Sequence, residues 1–332
     1  ERYYVDGEFG EDVLVKANAV EVLEGELNPR RKRTSLNRSY IVLGGGVGDS
    51  YQPIEKKYRL SRDAIQVIDK YNFPVHVLTK SILIERDVDT IKGINERTGA
   101  IVSFSFSSVD DKLSAILEPG VPSPGRRLET LAFFKKKGIA TGMFLLPVIP
   151  FVADTAELME EAVKKASEIG VDFVIFGGMT LKEGKQKRYF YNTLKENYSQ
   201  LIKKYENVYL GNTWGQAEGD YYDSINERFS SIAKKYRMPR RISPSLYEDI
   251  LSENDLAVVI LEQIDYLLKL EGRESPFGYA AYSISKIRES LIAMKGRLRE
   301  LRGVGRITED IILEILKTGS SSYHIRLMAG NS

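Results

Sequence analysis

Residues 39–62 read SYIVLGGGVGDSYQPIEKKYRLSR, and this stretch decides the fold. Tyr40-Ile41-Val42-Leu43 is short, apolar and rich in β-branched side chains, the pattern of a buried strand. Gly44, Gly45 and Gly46 follow at once, then Gly48, Asp49 and Ser50. Glycine lets backbone approach a ligand closely and adopt positive φ without strain, so a triple glycine at a strand's carboxyl end suits a small-molecule contact. The spacing is neither the dinucleotide fingerprint nor the phosphate loop with its Gly-Lys-Ser/Thr. For three glycines taken alone, a tight strand-to-helix turn without any ligand is the better explanation. The segments on either side tilt the reading toward a ligand.

Working outward, Arg62–Tyr71 turns Ala64, Ile65, Val67 and Ile68 to one face and reads as a helix. The strand Phe73–Leu78 delivers Thr79, Lys80 and Ser81. A helix near 87–98 then leads to the strand Ala100–Phe106, which carries Ser103 and Ser105. After a Pro- and Gly-containing loop come the helix Arg127–Lys137, the strand Ala140–Val148, a helix over 156–169 and the strand Asp172–Phe176 with Gly177-Gly178 at its end. Successive strand–helix units imply a parallel sheet with right-handed crossovers. A doubly wound sheet is one solution. Polar residues gathered at every strand's carboxyl end favour a partial (β/α) barrel, an α/β fold whose site forms at that end.

Before the decisive stretch, 12–27 carries helical periodicity and 30–38 (RRKRTSLNR) carries five positive charges and no negative one. Beyond Leu181 the alternation fades. Helices are expected over 192–205, 222–236, 246–251, 255–270 and 280–301. The domain expectation is therefore a barrel over 1–218 and an all-helical domain over 219–332.

Composition narrows the chemistry. Cysteine is absent and histidine occurs twice, as His76 and His324, which excludes disulfides, thiolate zinc sites and a histidine-rich metal centre built from this chain. His76, inside a strand, reads as a core residue. No apolar run is long enough to span a bilayer and no signal-peptide pattern opens the sequence, so no membrane partner and a cytoplasmic location are expected. Net charge is only +2, but Lys286–Arg306 holds seven basic and two acidic residues. Such clumps are solvated faces unless a nucleic-acid motif accompanies them.

The run Asp49-Ser50-Tyr51-Gln52-Pro53-Ile54-Glu55-Lys56 with Arg62 resembles radical SAM proteins of the spore photoproduct lyase-like, or DNA repair photolyase-like, group. The likeness continues in order through Leu78-Thr79-Lys80-Ser81, Arg86-Asp87, Val102-Ser103-Phe104-Ser105, Glu118-Pro119-Gly120, Pro122-Ser123-Pro124, Arg127-Leu128 and Pro147-Val148-Ile149-Pro150, and covers residues 1–178. The resemblance implies a partial TIM-like barrel in which a 4Fe-4S cluster, bound by three cysteines of a CxxxCxxC loop, reduces S-adenosylmethionine to a 5′-deoxyadenosyl radical. It implies that Gly44, Gly45 and Gly46 line the methionine end of the cofactor. Lys80 would pair with its carboxylate and Ser105 add a hydroxyl, with Asp49, Ser103 and Arg127 completing the cofactor-binding set. Glu55, Glu118 and Arg127 are expected to brace the site, Glu118 and Arg127 as an ion pair. Two departures qualify the likeness. The family's cysteines precede a segment like Glu1-Arg2-Tyr3-Tyr4, so the cluster ligands are expected upstream of residue 1. The lyases' hydrogen-donating cysteine corresponds to Gly46, and Gly48 replaces their serine, which argues against spore photoproduct as the substrate.

Leu298–Leu316 resembles a helix–hairpin–helix motif. Gly303-Val304-Gly305 would form the hairpin, and Arg299, Arg302 and Arg306 would supply the charge for DNA or RNA phosphates. The leading expectation is thus a radical SAM enzyme acting on nucleic acid, with an electron donor as partner. One alternative is a non-catalytic nucleic-acid-binding protein on a degenerate barrel. Another is ordinary methyl transfer from S-adenosylmethionine. The aromatic residues Trp214, Tyr189, Phe190 and Tyr191 are expected to pack rather than to stack on bases.

Overall fold

A computed structural model of the chain describes residues 12–30, 40–44, 48–210 and 214–329. Two compact units emerge, one of residues 1–171 and 175–229, the other of 172–174 and 230–332.

The five strands β1 (Ile41–Leu43), β2 (Val75–Thr79), β3 (Ala100–Phe106), β4 (Ala140–Val148) and β5 (Phe173–Gly178) form one sheet in the order β1-β2-β3-β4-β5. The ladders joining the first four are parallel, with His76 opposite Ile101 and Ser103 opposite Gly142. A doubly wound sheet reverses its strand order at a switch point. Here the order follows the chain without reversal, so right-handed crossovers keep the helices on one face. The expected α/β partial barrel is what the chain forms.

In the first unit the helices are α1 (Ala19–Leu27), α2 (Glu55–Tyr58), α3 (Leu60–Lys70), α4 (Val88–Arg97), α5 (Asp111–Leu117), α6 (Pro124–Lys136), α7 (Ala156–Ile169), α8 (Lys185–Asn197), α9 (Ile202–Val208) and α10 (Gly219–Lys235), the last belonging to this unit as far as Phe229. Each crossover helix buries one stripe: Ala64, Ile65, Val67 and Ile68 on α3, Ile91 and Ile94 on α4, Leu128, Leu131 and Phe134 on α6, Met159, Ala162, Val163 and Ala166 on α7. These meet Val75 and Val77 of β2, Val102, Phe104 and Phe106 of β3, and Met143 and Leu145 of β4, all buried. A fully buried side chain of this size stabilises by about 1.5–3 kcal/mol, so this layer dominates the unit's stability. The opposite, inner sheet face is more open: Leu78, Ser105, Phe144 and Leu146 are half-buried, and Val42 is exposed.

The second unit is built on α11 (Glu253–Leu270), which buries Leu256, Ala257, Ile260, Leu261, Ile264, Leu267 and Leu268. Packed against it are α12 (Phe277–Ile284), α13 (Arg306–Thr318) and α14 (Ser322–Met328).

Several expected elements are corrected. The helix expected over 12–27 begins only at Ala19. The loop after β3 contains α5, capped by Asp110, whose carboxylate accepts from the Leu113 N–H at 2.8 Å. The run 192–205 is broken at Tyr198 between α8 and α9. The run 246–251 is a 3₁₀ turn at Pro244–Leu246 followed by irregular turns. The long helix over 280–301 ends at Ile284, because Asn254 of α11 captures the backbone beyond it. Its side chain donates to the Glu289 carbonyl and accepts from the Leu291 N–H, both at 2.9 Å.

Candidate functional site

The site is assembled from the carboxyl ends of β1, β2 and β3. Gly44 directly follows β1 with φ +107, and a Cβ there would lie 2.0 Å from the Leu78 carbonyl oxygen. That position is closed to every residue but glycine by the approach of two strand ends. Gly45 and Gly46 lie outside the described residues, as do residues 1–11 and the basic run from Arg31 to Arg38.

Asp49 then fastens the glycine turn to β2. One carboxylate oxygen accepts from Thr79 Oγ1 at 2.6 Å and from the Tyr51 N–H at 2.8 Å, and the other from the Lys80 N–H at 2.6 Å. Asp49 therefore positions Lys80 by its backbone.

The Lys80 side chain, 31% exposed, reaches Oε1 of Glu118 at 2.5 Å. Glu118, 4% exposed, accepts at its other oxygen from Arg127 at 2.7 Å, and the Arg127 side chain is fully buried. Ser107 Oγ and Ser114 Oγ donate to the same carboxylate at 3.0 and 3.2 Å. Arg127 also donates to the Ser105 carbonyl at 2.6 Å, and its guanidinium lies 4.8 Å from the Phe106 ring centre. Local sequence sets this up: Ser123 caps α6, accepting from the Arg126 N–H, and Pro124 opens the helix, placing Arg127 in its first turn. Burial alone would raise the Glu118 carboxyl, but the charges and hydrogen bonds of Lys80 and Arg127 more than reverse this and hold it below its ordinary value. The expected Glu118–Arg127 pair is present.

The two serines of β3 part company. Ser105 is half-buried, and its hydroxyl donates to the Leu146 carbonyl at 2.9 Å. Its proton is committed, so what it still offers is an acceptor. Ser103 is fully buried and lies 2.9 Å from Nε2 of His76, deeper along the same face. Burial lowers His76 from its ordinary value to about 4, which keeps the ring neutral. The structure thus groups Asp49, Lys80 and Arg127 with the backbone of Ser105, and sets Ser103 apart with His76.

A second buried network clamps the segment after the glycines. Glu55 accepts from the Ser61 N–H at 3.1 Å and pairs with Arg86. Asp87 accepts from Tyr51 OH at 2.9 Å and pairs with Arg86 at 3.1 Å. Glu55 is thus a brace. Sequence reasoning placed Thr79 at a strand end without giving it a role, and passed over Ser107 and Ser114. The four-residue spacing of Ser114 and Glu118 is a signal that could have found Ser114.

In the second unit, Gly303 has φ +84, and a Cβ there would lie 2.7 Å from the Ala280 nitrogen, so the turn lies tight against α12. Gly305 is the N-cap residue of α13 and Arg306 its first, exposed residue. Arg299 pairs with Glu309 at 2.5 Å. Arg302 is exposed beside Tyr279. The segment preceding the turn is a single 3₁₀ turn, Leu298–Glu300, in place of the first long helix the motif called for. Among the described residues no group of three His, Asp or Glu could hold a metal ion, and no helix is long and apolar enough to cross a membrane.

An α/β partial barrel with a buried Arg–Glu–Lys cluster at its strand ends is the class of protein that fold and site define. No family model matches the chain. Over 202 residues it is 27% identical to an uncharacterized protein of Mycobacterium tuberculosis, covering 61% of this chain and 58% of that one. It is 26% identical over 206 residues to an uncharacterized protein of Methanocaldococcus jannaschii, covering 62% and 71%. The chain thus spans a little over half the length of the mycobacterial relative. Among solved structures, a mutant of spore photoproduct lyase superposes with a TM-score of 0.46 at 15% identity, covering 68% of this chain and 65% of that one. Streptococcus suis SuiB bound to S-adenosylmethionine superposes with a TM-score of 0.34 at 15% identity, covering 45% and 35%. Superpositions this loose decide nothing about chemistry.

Proposed function

We propose that the strand-end cluster holds the amino-acid end of S-adenosylmethionine in a radical SAM enzyme that acts on nucleic acid. The observation that carries the reading is the placement of Lys80. It stands at the open end of β2, its side chain 31% exposed, while the carboxylates around it are also held by other donors, Glu118 by Arg127 and Asp49 by Thr79 and the backbone. An ammonium group left partly open at a strand end suits a cofactor carboxylate. Lys80 has further N–H donors besides the one engaged by Glu118, and Ser105 Oγ offers an acceptor suited to the cofactor's ammonium group. Arg127, fully buried, does not touch the ligand and acts by fixing Glu118 and β3. When bound, the cofactor supplies the radical chemistry, while this chain positions it and excludes water.

The chain has no cysteine, so its residues do not fit an iron–sulfur cluster. Cluster ligands, on this reading, are supplied from outside residues 1–332. This lack of cysteine also favours a second reading, a nucleic-acid-binding protein without catalysis. The two are separated on the full-length gene product, reconstituted anaerobically with iron and sulfide and given S-adenosylmethionine and a reductant. Formation of 5′-deoxyadenosine supports the enzyme. S-adenosylhomocysteine in its place indicates methyl transfer. Neither product, with no iron retained, leaves the binding protein.

A further inference from the structure

Two aromatic rings on α12 stand in solvent: Tyr279 is 66% exposed and Tyr282 65%. Three residues apart on a helix, they share a face, and Lys286 lies in the turn just past the end of that helix. The Lys286 ammonium lies 4.9 Å from the Tyr282 ring centre and the Arg302 guanidinium 5.9 Å from that of Tyr279. The turn carrying Arg302 is pinned beside these rings, since Ser283 Oγ donates to the Arg302 carbonyl at 2.8 Å.

The charges around the rings are not cancelled locally. Arg297 takes Glu289 at 2.8 Å and Glu300 at 3.8 Å, and Arg299 takes Glu309. Among the described residues Lys286, Arg302 and Arg306 have no carboxylate partner. Two exposed rings, each with an unneutralised cation beside it, complement a ligand that alternates flat rings with anions. Bases in a duplex are already stacked on one another, whereas those of a single strand are free to stack on a protein ring.

We infer that Tyr279 and Tyr282 form a stacking platform for unpaired bases of single-stranded nucleic acid, whose phosphates are met by Lys286 and Arg302. This deepens the proposed function, resting on its nucleic-acid side alone and not on the cofactor chemistry.

The test is fluorescence anisotropy of the full chain with a labelled oligothymidylate of about a dozen nucleotides, within the usual range of single-strand site sizes, and with a duplex of equal length. Removing both rings in the double variant Tyr279→Leu/Tyr282→Leu is expected to weaken single-strand binding at least ~10-fold, while Tyr279→Phe/Tyr282→Phe stays within about 2-fold. Lys286→Gln/Arg302→Gln is expected to reduce the salt slope by about 0.7 per lost phosphate contact. Thermal melts confirm that each variant is folded. Equal binding by the leucine variant and the wild type overturns the platform. So does a preference for duplex that the leucine change does not touch, although that result leaves nucleic-acid binding standing. No binding of either form overturns both, and none of these outcomes alters what 5′-deoxyadenosine formation says of the cofactor site.

Discussion

Arg127 and Glu118 form an ion pair 2.7 Å long in which the arginine side chain is fully buried and the glutamate 4% exposed. Removing one partner from such a pair strands the other charge away from water. Glu118→Gln is therefore expected to destabilise the barrel by about 3–5 kcal/mol, whereas the joint change Glu118→Gln/Arg127→Met recovers much of that loss. Urea unfolding of the two variants against wild type checks this. A joint variant no better than the single one would refute the stranded-charge explanation.

Lys80 presents the opposite case. Its side chain is 31% exposed, and Glu118 keeps Arg127 as a partner without it. Lys80→Met is expected to cost no more than ~1 kcal/mol of stability. Loss of a charge-assisted contact of about 1.5–3 kcal/mol weakens S-adenosylmethionine binding by roughly 10- to 100-fold. Calorimetric titration of the folded variant provides the comparison, and unchanged affinity would remove Lys80 from the site.

Gly44 and Gly48 are expected to respond differently to the same methyl group. At Gly44 a Cβ would lie 2.0 Å from the Leu78 carbonyl, and φ is +107. At Gly48 the nearest atom is the movable end of the Gln52 side chain, 3.1 Å away. Gly44→Ala should lose several kcal/mol or fail to fold, since both strain and clash act on backbone. Gly48→Ala should stay within about 1 kcal/mol. Thermal melts of the two variants decide, and equal melting temperatures would contradict the close approach of β1 and β2.

Acid should loosen the barrel in two stages. An unfolded chain protonates His76 below its ordinary 6.5, but burial holds the folded ring neutral down to about 4. The unfolded state thus binds the extra proton first, and stability falls with decreasing pH across that window by up to ~1.4 kcal/mol per unit. Glu118 acts lower. Burial works against its ionised form, but Lys80 and Arg127 prevail, so its contribution is complete above 4.5 and is lost as pH falls below that value. Urea midpoints measured from neutral pH downward should decline less steeply for His76→Gln between pH 6.5 and 4. An unaltered slope would show that His76 protonates equally in both states.

Much of the fold was legible because periodicity and burial agreed. Ala100–Phe106 and Ala140–Val148 are strands and 156–169 a helix, as the sequence indicates. What stayed hidden depended on contacts distant in sequence. Residues 285–301 carry helical periodicity, yet Asn254 redirects their backbone, and no local pattern reveals a partner on another helix. The same holds at the site. Lys80, Glu118 and Arg127 were each identifiable, but that Lys80 is already engaged by Glu118, and that the Ser105 proton is spent on Leu146, follow only from where the end of α5 lies against β2 and how β3 lies against β4.

Arg127 binds a carboxylate through one nitrogen and the Ser105 carbonyl through another. Electrostatics and strand geometry at the barrel mouth are therefore inherited as one package. Lineages that alter the first must reshape the second in the same step. Residues 118 and 127 should accordingly drift as a pair, and a homologue that has lost only one of them should carry a differently shaped end to its third strand.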